Sequence, residues 1–150
     1  MAAIIREVLS EFNAAKPGTV FFDPTTDELF SLFQHPLSRY LVVESDDGLV
    51  GGAGIYPTPG LPAGYCELVK LYLVKDFRGK GLGKKLISEC CKAAKSFGFT
   101  QLYLESMPEL ATAVTLYEKF GFGYLPASLG SSGHFGCDIW MSLDLEKFSG

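Results

Sequence analysis

The stretch Arg78-Gly79-Lys80-Gly81-Leu82-Gly83-Lys84 limits what this chain can become more than any other. An apolar alternating run, Glu67 to Val74, leads into it, and an amphipathic segment reaching about Phe97 leads out. The pattern predicts a strand, a glycine-rich turn and a helix N-terminus in that order. Such a turn suits an anion, because glycines let the backbone approach a ligand, the first helical N–H groups are unpaired, and the helix dipole adds positive charge. Arg78, Lys80 and Lys84 add full charges. A Walker loop does not fit, since Arg78 stands where its first glycine belongs and Lys85 where its Ser or Thr belongs. The dinucleotide pattern G-x-G-x-x-G starts at Gly79 but meets Lys84 at its last glycine, although Glu105 lies about 20 residues on, where a ribose-binding acid is expected. The pattern [QR]-x-x-G-x-[GA] is filled by Arg78, Gly81 and Gly83.

The rest of the chain has to supply a core around that unit. With 150 residues, 47% of them hydrophobic and 20% charged, residues 1–150 are expected to form one domain. Thirteen Lys and Arg against 17 Asp and Glu give a formal charge of −4, which argues against a nucleic-acid partner. No apolar run reaches the roughly 18 residues of a membrane span. Glu7 and Glu11 interrupt anything resembling a signal peptide, so no membrane partner and a cytoplasmic location are expected. Cys66, Cys90, Cys91 and Cys137 form no C-x-x-C pair, so neither a metal site nor a disulfide framework is expected. His134 and Cys137 have the spacing of a base and a nucleophile, but reduced, buried thiols are the simpler reading.

In chain order, Ile4, Ile5, Val8, Leu9 and Phe12 predict an amphipathic helix over 3–13, ended by Lys16-Pro17-Gly18. Thr26 to Phe33 reads as a short helix capped by Thr25 or Thr26, after a packing segment Phe21-Phe22-Asp23-Pro24. Arg39–Glu44 and Leu49–Tyr56 read as a hairpin, with Gly51, Gly52 and Gly54 marking close backbone approach or a bulge. Leu82, Leu86, Cys90, Ala93, Ala94 and Phe97 are the expected buried stripe of the helix after the glycine turn, with Gly98 as its stop. Thr100–Glu105 follows as a strand parallel to the central one, completing a βαβ unit. A helix after Pro108 presents Leu110, Ala113, Val114 and Tyr117 and ends at Gly121. Gly123–Pro126 and Phe135–Leu143 are the last strand candidates, and the tail from Asp144 is expected to fray.

Ala113-Val114-Thr115-Leu116-Tyr117-Glu118-Lys119-Phe120-Gly121-Phe122 resembles the A-x-x-L-Y-E-K-x-G-F segment of the GCN5-related N-acetyltransferase (GNAT) superfamily. The glycine turn resembles that family's acetyl-CoA pyrophosphate loop, and Glu67 to Val74 its E-L-x-x-L-Y-V strand. Together the resemblance covers about residues 39–143. Two departures stand out: Leu110 occupies a position usually held by Asn, and the family's first strand has no counterpart before Ile4.

The resemblance implies an α/β fold with a mixed sheet splayed between its two central parallel strands, helices on both faces, and acetyl-CoA as co-substrate in the gap. Backbone groups near Leu73 and Val74 would pair with the pantetheine. The N–H groups of Lys80, Gly81, Leu82, Gly83 and Lys84, with Gly79, would hold the pyrophosphate, and Arg78 would orient the turn or add charge. An amine must lose a proton before it attacks a thioester, and Glu67 is the candidate base. Alternation of the strand places Glu67 on one face with Val69, Leu71 and Leu73. Tyr117 is the candidate acid for the leaving thiolate and also a cofactor contact. Glu105 and His134, with Glu67, are candidates for binding the acceptor. The implied activity is N-acetylation of a primary amine on a small or amino-acid-like acceptor by direct attack in a ternary complex. A non-catalytic acyl-CoA sensor, or acetylation of a protein N-terminus or lysine, is the alternative. Apolar strands near the C-terminus leave a homodimer open.

Overall fold

The computed structural model describes residues 1–149. It opens on α1 (Ala2–Glu11), which buries Ile5, Val8 and Leu9 along one stripe, as the spacing predicts. The expected helix over Thr26–Phe33 is instead a 3-10 turn, Pro24–Glu28, followed by the single-turn helix α2 (Leu29–Leu32). The cap is Asp23, not Thr25 or Thr26: its carboxylate accepts the Thr25 N–H at 2.9 Å and the Thr25 hydroxyl at 2.7 Å. Thr26 is buried and donates its hydroxyl to the Val20 carbonyl at 2.7 Å.

The strands are β1 (Arg39–Ser45), β2 (Gly48–Tyr56), β3 (Tyr65–Leu73), β4 (Gln101–Ser106), β5 (Gly123–Leu125) and β6 (Ile139–Asp144). Helix α3 (Leu82–Ser96) crosses from β3 to β4, and α4 (Ala111–Phe120) follows β4. The sheet order is β1-β2-β3-β4-β6-β5, with β3 and β4 the parallel pair. That pair is short. Tyr65, Cys66 and Glu67 face Gln101, Leu102 and Tyr103, and beyond them the two strands part. The expected splayed mixed sheet is present, and the opening begins at Glu67.

Two apolar clusters sandwich the sheet. One joins α3 and α4 to Ile55, Cys66, Leu68, Leu102, Leu104 and Met141. The other joins α1 to Tyr72, Met107 and Cys137. In α3 the buried stripe also takes in Ile87 and Cys91, two residues beyond those the spacing indicated, and both join the cluster that packs on the sheet and α4. Leu82 and Phe97 are only partly buried.

Strand β3 does not alternate along its whole length. Lys70 has φ of 53°, and the β2–β3 register shifts between Gly52 and Gly54. Such a bulge reverses the parity of the strand. Cys66 and Leu68 therefore share the α3 cluster with Leu71 and Leu73, while Tyr72 joins the α1 cluster. The expectation that Glu67 shares a face with Leu71 and Leu73 is corrected by this reversal. The glycines of β2 make it possible: a Cβ on Gly52 would stand 2.6 Å from the Leu41 carbonyl and 2.7 Å from the Tyr40 ring, and one on Gly54 2.6 Å from that same ring. Tyr40 lies across this bare backbone and donates its hydroxyl to the Lys70 carbonyl at 2.8 Å.

Two C-terminal expectations are also corrected. Strand β6 begins at Ile139 rather than Phe135, because the preceding residues are drawn onto other elements: Gly136 N–H donates to Gly18 O and Cys137 N–H to His134 O. After β6 the chain makes a 3-10 turn, Leu145–Lys147, capped by the Asp144 carboxylate and anchored by fully buried Leu145.

Candidate active site

A cleft of about 590 Å³ runs along the opened edge of β3, from the glycine turn to Glu67, Glu105 and His134. Its glycine-turn end leaves backbone N–H groups open. Gly79 and Gly81 have φ of 73° and 82°, a left-handed backbone that favours glycine, and a Cβ on either would meet nothing within 4 Å. Gly81 is the N-cap of α3 and no side chain caps it. The first helical bond runs from Lys85 N–H to Gly81 O, so the N–H groups of Leu82, Gly83 and Lys84 are left for a ligand. Gly83 has a different reason to lack a side chain: a Cβ there would lie 2.9 Å from Leu116 of α4.

Arg78 orients the turn. Its Nε donates to Leu73 O at 2.9 Å, its two terminal nitrogens grip the Glu11 carboxylate at 2.6 and 3.0 Å, and its guanidinium lies 4.9 Å from the centre of the Phe12 ring. The charges left for a phosphate are Lys80 and Lys84. Val74 N–H donates to Val50 O at 2.9 Å, which commits it to β2. By alternation the N–H groups of Leu73 and Leu71 then point away from β2, toward the opened gap, while the Leu73 carbonyl is taken by Arg78.

The opposite end gathers charge. Glu67 is 3% exposed; its Oε1 has no hydrogen-bond partner and its Oε2 has only the Thr58 hydroxyl at 3.4 Å. Burial, with the nearby charge of Glu105, pushes its carboxyl up to about 8. Glu105 accepts the Tyr103 hydroxyl at 2.7 Å and the Ser132 hydroxyl. His134 pairs through Nε2 with Asp23 at 2.6 Å, and its Nδ1 lies 4.0 Å from Glu105. Burial opposes the charge on Asp23, but the His134 and Thr25 hydrogen bonds outweigh it and hold the carboxyl well below the usual range. Tyr117 lines the cleft from α4, and its hydroxyl has no protein partner among the described residues. Burial, with a lesser effect of Cys90, raises its phenol, which keeps the proton in place.

The sequence candidates Glu67, Glu105, His134, Tyr117 and the glycine turn are thus brought to one cleft. Cys137 is not part of a nucleophilic pair: burial pushes its thiol up to about 12, and the His134 ring serves Asp23 instead. Asp23, Lys70, Tyr103 and Ser132 escaped the sequence reading. Asp23 announces itself only as the turn-former of Asp-Pro-Thr, 111 residues from the histidine it holds. Lys70 stands out as the one charge between Leu68 and Val74, but its role depends on the bulge.

The acetyltransferase (GNAT) family profile matches residues 5–122. An uncharacterized N-acetyltransferase of Escherichia coli K12, YjgM, is 39% identical over 146 residues, covering 97% of this chain and 87% of the relative. A GNAT-family acetyltransferase of Staphylococcus aureus Mu50 superposes with a TM-score of 0.81 at 19% identity, covering 95% of this chain and 89% of the other. The PaiA N-acetyltransferase of Thermoplasma acidophilum, solved with coenzyme A, superposes at 0.72 with 20% identity and the same coverages. The chain belongs to the acetyltransferase (GNAT) family and is an N-acetyltransferase by class.

Proposed function

We propose that this chain transfers the acetyl group of acetyl-CoA to the primary amine of a small acceptor by direct attack in a ternary complex. The observation that carries the reading is Glu67: a buried carboxylate with an unpartnered oxygen stands where the parallel strands part, in the same cleft as an uncapped, glycine-lined helix N-terminus. The residues suit acetyl-CoA. The N–H groups of Leu82, Gly83 and Lys84 would hold the pyrophosphate, Lys80 and Lys84 would add charge, and the Leu71 and Leu73 main chain would pair with the pantetheine as an added strand. The thioester supplies an activated acetyl carbon.

The chain's own groups move the protons. An ammonium acceptor gives one proton to Glu67, directly or through one water, and becomes nucleophilic. Its nitrogen bonds to the acetyl carbon, the C–S bond breaks, and the nitrogen's surplus proton passes to the solvent. Tyr117 supplies a proton to the departing sulfur and is restored from solvent, so amide, CoA thiol and one proton result. Four buried free cysteines suit a reducing compartment, and we place the protein in the cytoplasm. No helix among the described residues is long and apolar enough to cross a membrane.

The test is release of free CoA thiol from acetyl-CoA against a panel of small amines. Turnover with at least one amine is expected, and Tyr117→Phe should lower kcat by about 10²-fold or more. Release that no amine stimulates would instead favour a sensor.

A further inference from the structure

At the end of the cleft away from the glycine turn, several polar groups are already satisfied. Asp23 is held by His134, and Glu105 by Tyr103 and Ser132. Two are not. Glu67 has an unpartnered Oε1, and Lys70, 7% exposed, makes no hydrogen bond or ion pair through its ammonium among the described residues. Both line the cleft; no hydrogen bond or close ion pair joins them, and Asp23 and Glu67 favour the charge on Lys70 only from a distance.

The fold also strains the backbone to put Lys70 there. In an unbroken strand, positions 67 and 70 face opposite ways. The left-handed conformation at Lys70 cancels that, a backbone a residue with a Cβ adopts only at a cost. The Tyr40 hydroxyl clamps the bulge across the glycines of β2. Glycine or asparagine would adopt this bulge more cheaply, so the lysine side chain is what the strain secures.

We propose that Lys70 binds the carboxylate of the acceptor, and that the acceptor is a zwitterion, a free α-amino acid or close analogue whose amine is thereby presented to Glu67. The inference rests on the N-acetyltransferase reading above. A zwitterion supplies a positive charge for Glu67 and a negative one for Lys70 in one ligand, which a simple amine or a protein's N-terminus does not. The carboxylate takes no part in bond making; Lys70 is a specificity-determining residue.

The experiment compares each of a set of L-amino acids with the amine that lacks only its carboxylate, by CoA thiol release. For the preferred side chain, kcat/KM should favour the amino acid by about tenfold or more, as a charge-assisted hydrogen bond to a buried group allows. Lys70→Met should reduce that ratio to within about threefold, and Lys70→Arg should restore part of it. Equal kcat/KM for the two members of every pair in the native protein overturns the proposal, as does a Lys70→Met variant that keeps the native ratio. If the variants do not fold, calorimetry on the native protein with CoA decides the matter: amino acids must bind more tightly than their decarboxylated amines. Zwitterion binding without turnover would sink the catalytic reading and leave this one standing, whereas turnover of amines without carboxylate preference would do the reverse.

Discussion

Glu67 is the residue on which chemistry and stability meet. Its carboxyl is raised to about 8 from an ordinary 4.5, so between those pH values the folded protein keeps a proton that the unfolded chain has released. Stability must therefore fall as pH rises through that window, and the fall ends above about 8. Glu67→Gln removes the dependence: measured by denaturant unfolding, the variant should gain on the native protein by about 1–3 kcal/mol between pH 4.5 and 8.5. An unchanged difference between the two pH values would contradict the buried, unpaired state of this side chain. As the proposed base, Glu67 should give activity the opposite pH dependence, because only the ionised carboxylate accepts a proton. kcat/KM of the native enzyme should climb through about pH 8, and Glu67→Gln should lose that limb. The sequence named Glu67 and Tyr117 correctly as cleft residues because each sits in an extended motif. Asp23 and Lys70 were hidden because one acts through a contact 111 residues away and the other through a backbone bulge.

Among the elements, the strand–turn–helix from β3 to α3 was the most legible. Alternation, glycines and amphipathic period agree there, and the structure places each part within a residue or two of the expected bounds. What periodicity cannot express is a break in period, and both main departures are of that kind. The bulge at Lys70 turns Leu71 and Leu73 to the α3 side, and the 133–138 segment gives up the first part of β6 to contacts with Gly18 and with itself. Arg78 ties three of these elements together, joining the turn to the Leu73 carbonyl and to Glu11 of α1. Arg78→Ala should loosen the turn, raising KM for acetyl-CoA about tenfold while changing kcat by less than about threefold, because the group positions the turn and not the reacting atoms. A kcat loss with KM unchanged would assign Arg78 to the chemistry instead.

For the whole molecule, the parting of β3 and β4 is the organising feature. Three residue pairs hold the parallel strands together, and the gap beyond them connects the uncapped N-terminus of α3 to the buried carboxyl of Glu67. The α/β class and the splay were legible because two separate motifs stood at the right order and spacing; β1 and β5 are the edges of the observed sheet. This one cleft must take acetyl-CoA if the proposed function is right, and thermal unfolding with and without the co-substrate tests that most directly. At about 100 times Kd, binding to the folded state alone contributes about 2.7 kcal/mol, which for a chain of this size raises Tm by roughly 5–10 °C. A rise of that order, lost when Gly83→Leu fills the turn against Leu116, is the predicted result. No rise in Tm at millimolar acetyl-CoA would contradict the account at its centre.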